Sequence, residues 1–300
     1  MSFSSDVKTE LCRLHSQKKS LALAECYGLL LFGSRFDARE LRLVTAQPEL
    51  AAALPRLFHR AFGLEFDELP DENAVGKRRF VIRAPEKLDR IFSAYGLDAA
   101  STLSLHVNYG VLEEECERAA FVRGAFLAGG SATAPDKGFH LELATPHLSV
   151  SRETRSLLLE LGLEARESSR GGNALLYFKR ADAIADFLTV VGATGASLAV
   201  QTAKIDKDMR NTITRRVNCD SANADKVVAA AQEQLEAIRR IVRSYGLEAL
   251  PDALRDTALL RIANPEASLA DLALLSSPPV TKSCLNHRLK KIVQLAAEAE

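Results

Sequence analysis

The sequence predicts an α+β domain built from two similar halves, followed by an all-α domain that ends in a helix-turn-helix. Two observations support this fold class. The same succession of apolar helical runs and alternating strand patterns occurs twice in the first two thirds of the chain, and the copies are 96 residues apart at both their first and their last glycines. The last third shows only helical periodicity, interrupted by a short Ser-Pro turn.

Each half opens with an apolar helical run that contains two glycines five residues apart. The first run is ECYGLLLFGSRF, with Gly28 and Gly33, and the second is RAAFVRGAFLAGGSAT, with Gly124 and Gly129. Because glycine lets two backbones approach closely, we expect the two helices to pack against each other and cross at a pseudo-two-fold axis.

The elements that follow these runs match in type and in order. Each half continues with a strand, a helix that ends at a glycine, a second strand and a second helix. The matched pairs are 40–45 and 140–145, 48–63 and 146–162, 78–84 and 175–181, and 85–96 and 181–192. We therefore predict one duplicated domain over 1–205, with repeats at about 1–110 and 111–205 and two separate sheets.

The glycine-rich helices resemble a known motif. Residues 122–130, VRGAFLAGG, look like a degenerate LAGLIDADG motif, and residues 26–34, CYGLLLFGS, look like a weaker copy. In LAGLIDADG homing endonucleases an acidic residue near the end of each helix carries the divalent metal ion that hydrolyses DNA. That position falls on Gly33 and Gly129 here, and neither Glu25 nor Asp37 is placed to substitute.

The chain as a whole resembles the WhiA family of bacterial transcriptional regulators, which are associated with sporulation and cell division. The resemblance rests on RGAFLAGGS at 123–131, RVNC at 216–219 with Ala222 and Asn223, NPEASL at 264–269, and KS and NHR at 282–283 and 286–288. It implies a catalytically silent LAGLIDADG-like domain joined to a helix-turn-helix, with no nuclease activity and no cofactor. It also implies a role in cell division or chromosome segregation.

The last third predicts four helices after a linker at 206–220. Ser221 or Asn223 is a good N-cap for a long apolar-faced helix that ends near Gly246. A second helix is predicted over 252–263, a third after Ser268, and a fourth from Thr281 to about residue 296. The segment 268–296 has the short helix, tight turn and longer helix of a helix-turn-helix, inside a helical domain over 221–300.

The predicted last helix is strongly basic on an otherwise neutral chain. The chain has 39 lysines and arginines and 39 acids, yet the helix has no acid before Glu298. This pattern predicts binding to the phosphates of double-stranded DNA. The candidate DNA-binding residues are Thr281, Lys282, Ser283, Asn286, His287, Arg288, Lys290 and Lys291.

Within that set, the residues near the helix start are best placed for base edges, and the later cations for the DNA backbone. Asparagine can form paired hydrogen bonds with adenine, which favours Asn286 as a base reader. Arg288, Lys290 and Lys291 are expected to hold phosphates. The alternative is that a basic C-terminal helix is simply solvated and complements its own dipole.

Other interpretations of the chain stay open. The duplicated helix leaves a residual metal-dependent nuclease as one alternative, and a partner-docking or sensor role for the first domain as another. Strand cations such as Arg79, Arg83 and Lys179 lie where a homing endonuclease grips DNA, but interspersed acids favour a protein partner or a ligand there equally. For the basic end of the linker, domain docking and solvation together are favoured over DNA binding.

The composition excludes several classes of protein. Five scattered cysteines without a C-x-x-C pair argue against disulfides or a zinc site and for a reducing compartment. The N-terminal residues lack the apolar run of a secretory signal, and no apolar stretch is long enough to span a bilayer. We therefore expect a soluble, cytoplasmic, nucleoid-associated protein.

Overall fold

The computed structural model describes residues 2–14, 18–71, 76–98 and 104–298. The chain divides into two compact units, 1–207 and 208–300, and each has its own hydrophobic core. The first unit mixes helices and antiparallel strands, and the second is entirely helical in its described part. The predicted order of an α+β unit and an all-α unit is confirmed, while the proposed domain boundaries stay predictions.

The first half of the first unit begins with a short helix that precedes the repeat. Its apolar residues Val7 and Leu11 are buried in the core. The elements of this half are α1 (Phe3–Cys12), α2 (Lys19–Leu31), β1 (Arg35–Phe36), β2 (Leu41–Thr45), α3 (Pro48–Phe62), β3 (Arg78–Ile82) and α4 (Pro85–Ala94).

The second half repeats this order without a counterpart of α1. Between 104 and 114 the described chain forms only a single 3-10 turn, at Tyr109–Val111. The elements of the second half are α5 (Glu115–Gly129), β4 (Gly130–Ala132), β5 (Leu141–Thr145), α6 (Leu148–Glu160), β6 (Arg166–Arg170), β7 (Asn173–Phe178) and α7 (Ala181–Val191).

The two halves form two antiparallel sheets, as predicted. Their strand orders are β1-β2-β3 and β4-β5-β7-β6. In the first sheet Leu43 lies opposite Phe80, and in the second Leu143 lies opposite Leu176. These side chains are buried because alternate residues of each central strand face the helices. Strand β6 was not predicted, since all five of its residues are exposed and carry no apolar alternation.

The glycine-containing helices α2 and α5 cross where the repeat predicts. A Cβ atom added to Gly28 would lie 2.0 Å from the carbonyl oxygen of Phe121. A Cβ atom added to Gly124 would lie 2.0 Å from the carbonyl oxygen of Glu25. Any side chain at either position would therefore collide with the partner backbone, so glycine is what allows the two halves to meet.

The glycines that end the helices act as predicted. Gly63 after α3 and Gly192 after α7 both adopt left-handed conformations, with φ of 67° and 99°. Glycine reaches this region without steric penalty, so it ends a helix sharply and lets the chain turn toward the next element.

The second unit contains most of a helix that is much longer than expected. The remaining helices of the chain are α8 (Thr194–Ser244), α9 (Asp252–Ala263), α10 (Leu269–Leu275) and α11 (Lys282–Glu298). The predicted helix start at Ser221 or Asn223 is wrong, because both residues lie inside α8. The segment 206–220, predicted to be a linker, is likewise helical. An N-cap side chain stabilises the start of a helix by only about 1 kcal/mol. A good capping residue inside a helix is therefore not enough to end that helix and start another.

No helix in the described ranges is both long enough and apolar enough to cross a membrane.

Candidate nucleic-acid interface

The helix-turn-helix is built from local signals that the sequence displays. Ser268 caps α10, since its Oγ accepts a hydrogen bond from the backbone N–H of Asp271 at 3.3 Å. The Asp271 carboxylate in turn accepts from the Ser268 N–H at 3.3 Å. This reciprocal capping box orients the start of the short helix. The helix ends at Leu275, and the N–H of Val280 donates to the carbonyl of Ala273 at 3.2 Å, which closes the turn.

The candidate reading helix α11 starts at the predicted residue. The Thr281 Oγ1 accepts a hydrogen bond from the backbone N–H of Cys284 at 3.2 Å, so the threonine acts as its N-cap. One side of the helix is fully buried in the core of the second unit, through Leu285, Leu289 and Ile292. This packing leaves the other side of α11 turned away from the core.

The predicted DNA-binding residues lie outside the buried stripe of α11. Most of them are exposed, and the remaining two, Asn286 and Arg288, are half-buried. The exposed residues are Thr281, Lys282, Ser283, His287, Lys290 and Lys291. No carboxylate in the described part of the chain forms an ion pair with a lysine or arginine of this helix. These cations are therefore available to an external anion.

Helix geometry divides the predicted residues between two flanks. At about 100° per residue, Asn286 and Arg288 point to opposite sides of the buried stripe. Ser283, His287 and Lys290 share the outermost face with Asn286 at its edge. Arg288 instead lines a cleft with Thr257 of α9 and residues of the turn before α11. The structure thus groups part of the set and separates Arg288 from it.

Arg261 is a structural residue of the motif that the sequence reasoning missed. Its side chain is only 2% exposed, and its Nη1 donates to the carbonyl oxygens of Ala267 at 2.7 Å and Asn264 at 3.4 Å. Burial lowers the pKa of the guanidinium from its usual value. Arg261 follows the apolar Ala258 by three residues, and this spacing already places it on the buried face of α9. Through these two hydrogen bonds the guanidinium fixes the segment between α9 and α10.

Several cations on the sheets of the first unit pair with neighbouring acids. Arg79 pairs with Glu68 at 3.3 Å, and Arg83 pairs with both Glu68 and Glu40. In the second sheet Arg170 pairs with Glu142 at 2.6 Å. Paired charges present little net potential to a polyanion, so these strands differ from the acid-free face of α11.

The two positions that match the lost catalytic acids have no room for one. A Cβ atom at Gly129 would lie 2.2 Å from the carbonyl oxygen of Ala144. A Cβ atom at Gly33 would lie 2.7 Å from the Leu43 side chain. The described residues contain no cluster of three or more His, Cys, Asp or Glu side chains able to hold a metal ion.

The two acids weighed as substitutes, Glu25 and Asp37, have other partners. The carboxylate of Glu25 accepts from Nη2 of Arg123 at 3.0 Å across the helix pair. That of Asp37 accepts from Nε of Arg35 at 2.6 Å and from the backbone N–H of Glu40 at 3.0 Å. Both acids therefore have structural roles, one between the helices and one in the turn after β1.

Comparison with known protein families finds a match for each of the two units. The WhiA LAGLIDADG-like domain matches residues 118–210, and the WhiA C-terminal HTH domain matches residues 213–296. A relative from Desulforudis audaxviator, named "Probable cell division protein WhiA", is 37% identical, covering 99% of this chain and 97% of its own length. This chain belongs to the WhiA family. A WhiA relative from Alkaliphilus metalliredigens is 33% identical, covering 99% of this chain and 98% of its own.

Solved WhiA structures share the fold. Full-length DUF199/WhiA from Thermatoga maritima superposes with a TM-score of 0.61 at 24% identity and covers 99% of both chains. The N-terminal LAGLIDADG domain of DUF199/WhiA superposes with a TM-score of 0.50 at 20% identity, over 64% of this chain and 92% of that one. The predicted family and fold class, a LAGLIDADG-like domain followed by a helix-turn-helix, are confirmed.

Proposed function

We propose that this WhiA-family protein is a sequence-specific, DNA-binding transcriptional regulator without nuclease activity. The observation that supports this most is the outer face of α11, whose lysines have no acidic partner in the described structure. A basic helix that follows a capped helix and a tight turn is the arrangement that enters the major groove of DNA. Because such a regulator would bind the chromosome, we also propose that the protein is cytoplasmic and associated with the nucleoid.

The roles of the residues follow from their places on the helix. Lys282, Ser283, Asn286 and His287, near the helix start, are proposed to meet base edges, with Asn286 pairing to adenine. Lys290 and Lys291, one turn further on, are proposed to hold phosphates. Thr281 is proposed to contact the DNA backbone at the helix start, where the free N–H groups favour an anion. Arg288, on the flank beside the turn, is also proposed to hold a phosphate.

The target genes are proposed from the family. The relatives are named as cell division proteins, so we propose that the regulated genes serve cell division, chromosome segregation or sporulation. Proteins bound to the first unit are proposed to modulate this regulation. A nuclease activity finds no support at Gly33 or Gly129, because neither residue offers a carboxylate for a metal ion.

The binding proposal is tested by selecting bound fragments from genomic DNA and measuring their affinity by fluorescence anisotropy. Lys290→Ala is expected to weaken binding to all sequences alike and to reduce the salt slope by about one. Asn286→Ala is expected to lose about 1–3 kcal/mol and to relax the preference at one base pair. Lys226→Ala, which changes an exposed lysine of α8, is the matched control and should bind as the unaltered protein does.

Two results would overturn the proposal. Unchanged specific binding in both Asn286→Ala and Lys290→Ala would show that α11 does not read DNA. Strand cleavage in magnesium or manganese that disappears with chelator, and that purifies with the protein, would show a nuclease instead of a silent scaffold.

A further inference from the structure

A cavity of about 390 Å³ lies in the first unit, beside the first of the two lost catalytic positions. It is lined by α1, the end of α2, β2, the start of α3 and the end of α5. Gly33 forms part of its wall, together with the side chains of Lys8, Ser5 and Thr45. A cavity of this size falls in the range that holds small organic molecules.

Lys8 is the single charged side chain that lines this cavity in the described structure. No carboxylate of the described residues forms an ion pair with it, and its Nζ lies 5.8 Å from the centre of the Phe126 ring. Burial lowers the pKa of this ammonium to about 8, since the protein replaces its water without supplying a counter-charge. A partly buried cation of this kind is stabilised by any anion that reaches it.

The rest of the wall combines two kinds of surface. Hydroxyl groups and an amide lie near the start of α1, where the Ser5 Oγ donates to the Gln47 Oε1 at 2.9 Å. Leu29, Leu50 and Leu54 supply an apolar wall. This combination matches a ligand with one charged end and one apolar end.

The extra helix α1 makes the surroundings of Gly33 differ from those of Gly129. The first half has this extra helix over Gly33, and the described second half has none. At Gly129, the space where a side chain would begin is occupied by the carbonyl oxygen of Ala144 and the Cβ of Phe32. Neither position has room for a carboxylate, but their surroundings differ: Gly33 borders a cavity that Lys8 also lines, and Gly129 abuts the backbone of Ala144.

We propose that this cavity binds a small organic anion, a carboxylate or a phosphate monoester. The anionic group lies against the Lys8 ammonium, and its apolar part lies against the leucines. DNA fits this site less well, because a nucleic-acid backbone has no aliphatic segment to cover Leu50 and Leu54. The first unit would thereby act as a sensor for a metabolite that carries an acyl or alkyl chain.

The experiment is a calorimetric titration of the full-length protein with acetate, butanoate, hexanoate, inorganic phosphate and hexyl phosphate. Each added methylene is expected to tighten binding about fourfold while the chain fits the cavity. Lys8→Met should weaken binding of hexanoate and hexyl phosphate at least tenfold. The matched control Lys19→Met, which changes an exposed lysine of α2, should leave both unchanged. The ratio between the two six-carbon ligands identifies the preferred charged group.

A second measurement uses the unaltered protein, so it does not depend on a variant that folds. Hexanoate is expected to slow acetylation of Lys8 by a small reagent and to leave Lys19 unaffected, as read by mass spectrometry. Equal affinity of Lys8→Met and the unaltered protein, or equal acetylation of Lys8 with and without the ligands, would overturn the proposal. Protection of Lys8 by a short DNA duplex, with none from the small anions, would overturn it in favour of a DNA contact.

Discussion

The close crossing of α2 and α5 makes a quantitative prediction for Gly124→Ala. The new Cβ would lie 2.0 Å from the Glu25 carbonyl oxygen and 3.0 Å from the Leu29 nitrogen. Real Cβ atoms do not approach other atoms to less than 3.0 Å. Both neighbours belong to the backbone of α2, so no side chain can rotate out of the way. The two helices must separate by about 1 Å around the crossing.

The expected loss of stability follows from that separation. A radial gap of about 0.5–1 Å forfeits a quarter to a half of the contact energy of the atoms that face each other. Overpacking of a core costs about 1–3 kcal/mol, and a rigid backbone contact places Gly124→Ala at the upper end. Alanine returns about 1 kcal/mol through its better helix propensity. We expect a net loss of about 2 kcal/mol, or about 4–8 °C in the unfolding midpoint of a unit this large.

Near-ultraviolet circular dichroism measures this unit selectively. Tyr27 and Tyr95 stack in its core with ring centroids 4.1 Å apart and planes 10° from parallel. Their near-ultraviolet dichroism depends on this fixed stacking and is lost when the first unit unfolds. The matched control is Gly195→Ala in α8, whose Cβ would come no closer than 3.2 Å to its nearest neighbour, the end of the Glu10 side chain. Gly124→Ala with a midpoint equal to that of the control or higher would refute the close crossing.

Three further outcomes are expected. Arg261→Met should leave the carbonyl oxygens of Ala267 and Asn264 without this donor and lower the free energy of unfolding of the second unit by about 1–3 kcal/mol. Amide hydrogen exchange in α10 should become faster, and unchanged exchange would contradict the positioning role of Arg261. Lys8→Met should be more stable than the unaltered protein at pH 7 by up to about 3 kcal/mol, because the folded state holds a charged group whose pKa is lowered from 10.5 to about 8. That difference in stability should shrink as the pH rises from about 8 to 10.5, because over this range Lys8 is already deprotonated in the folded protein but still charged in the unfolded chain. A difference in urea denaturation that does not change with pH would contradict this prediction. Gly129→Asp should unfold the first unit instead of restoring metal-dependent plasmid nicking, since its Cβ would lie 2.2 Å from the Ala144 carbonyl; a folded variant that nicks DNA would refute this.

Much of the architecture could be predicted because it depends on neighbours along the chain. Alternating Leu41 and Leu43 give one strand a buried face, and the glycines at 63 and 192 end helices through their own backbone freedom. The internal repeat added a second, independent copy of each signal. The start of α11 at Thr281 was predicted for the same reason, since a cap acts within one turn.

The sequence predictions of secondary structure failed where contacts elsewhere in the fold outweighed the local sequence signal. Ser221 and Asn223 are good caps in isolation, yet α8 passes through both. Strand β6 was missed because its exposed residues show no apolar alternation, and its pairing with β7 is supplied by a tight hairpin. That hairpin uses Gly171 and Gly172, both at positive φ.

The sequence by itself determined the repeat, the helix-turn-helix, the basic face of α11 and the absence of the two catalytic acids. Each of these depends on residue type and spacing, which can be read along the chain. Only the tertiary structure decided that an acid has no space at Gly129, that the Arg261 guanidinium binds the carbonyls of Asn264 and Ala267, and that Lys8 lines a cavity beside Gly33. These features arise between residues far apart in sequence, because close packing and burial are set by atoms that meet only when the chain is folded.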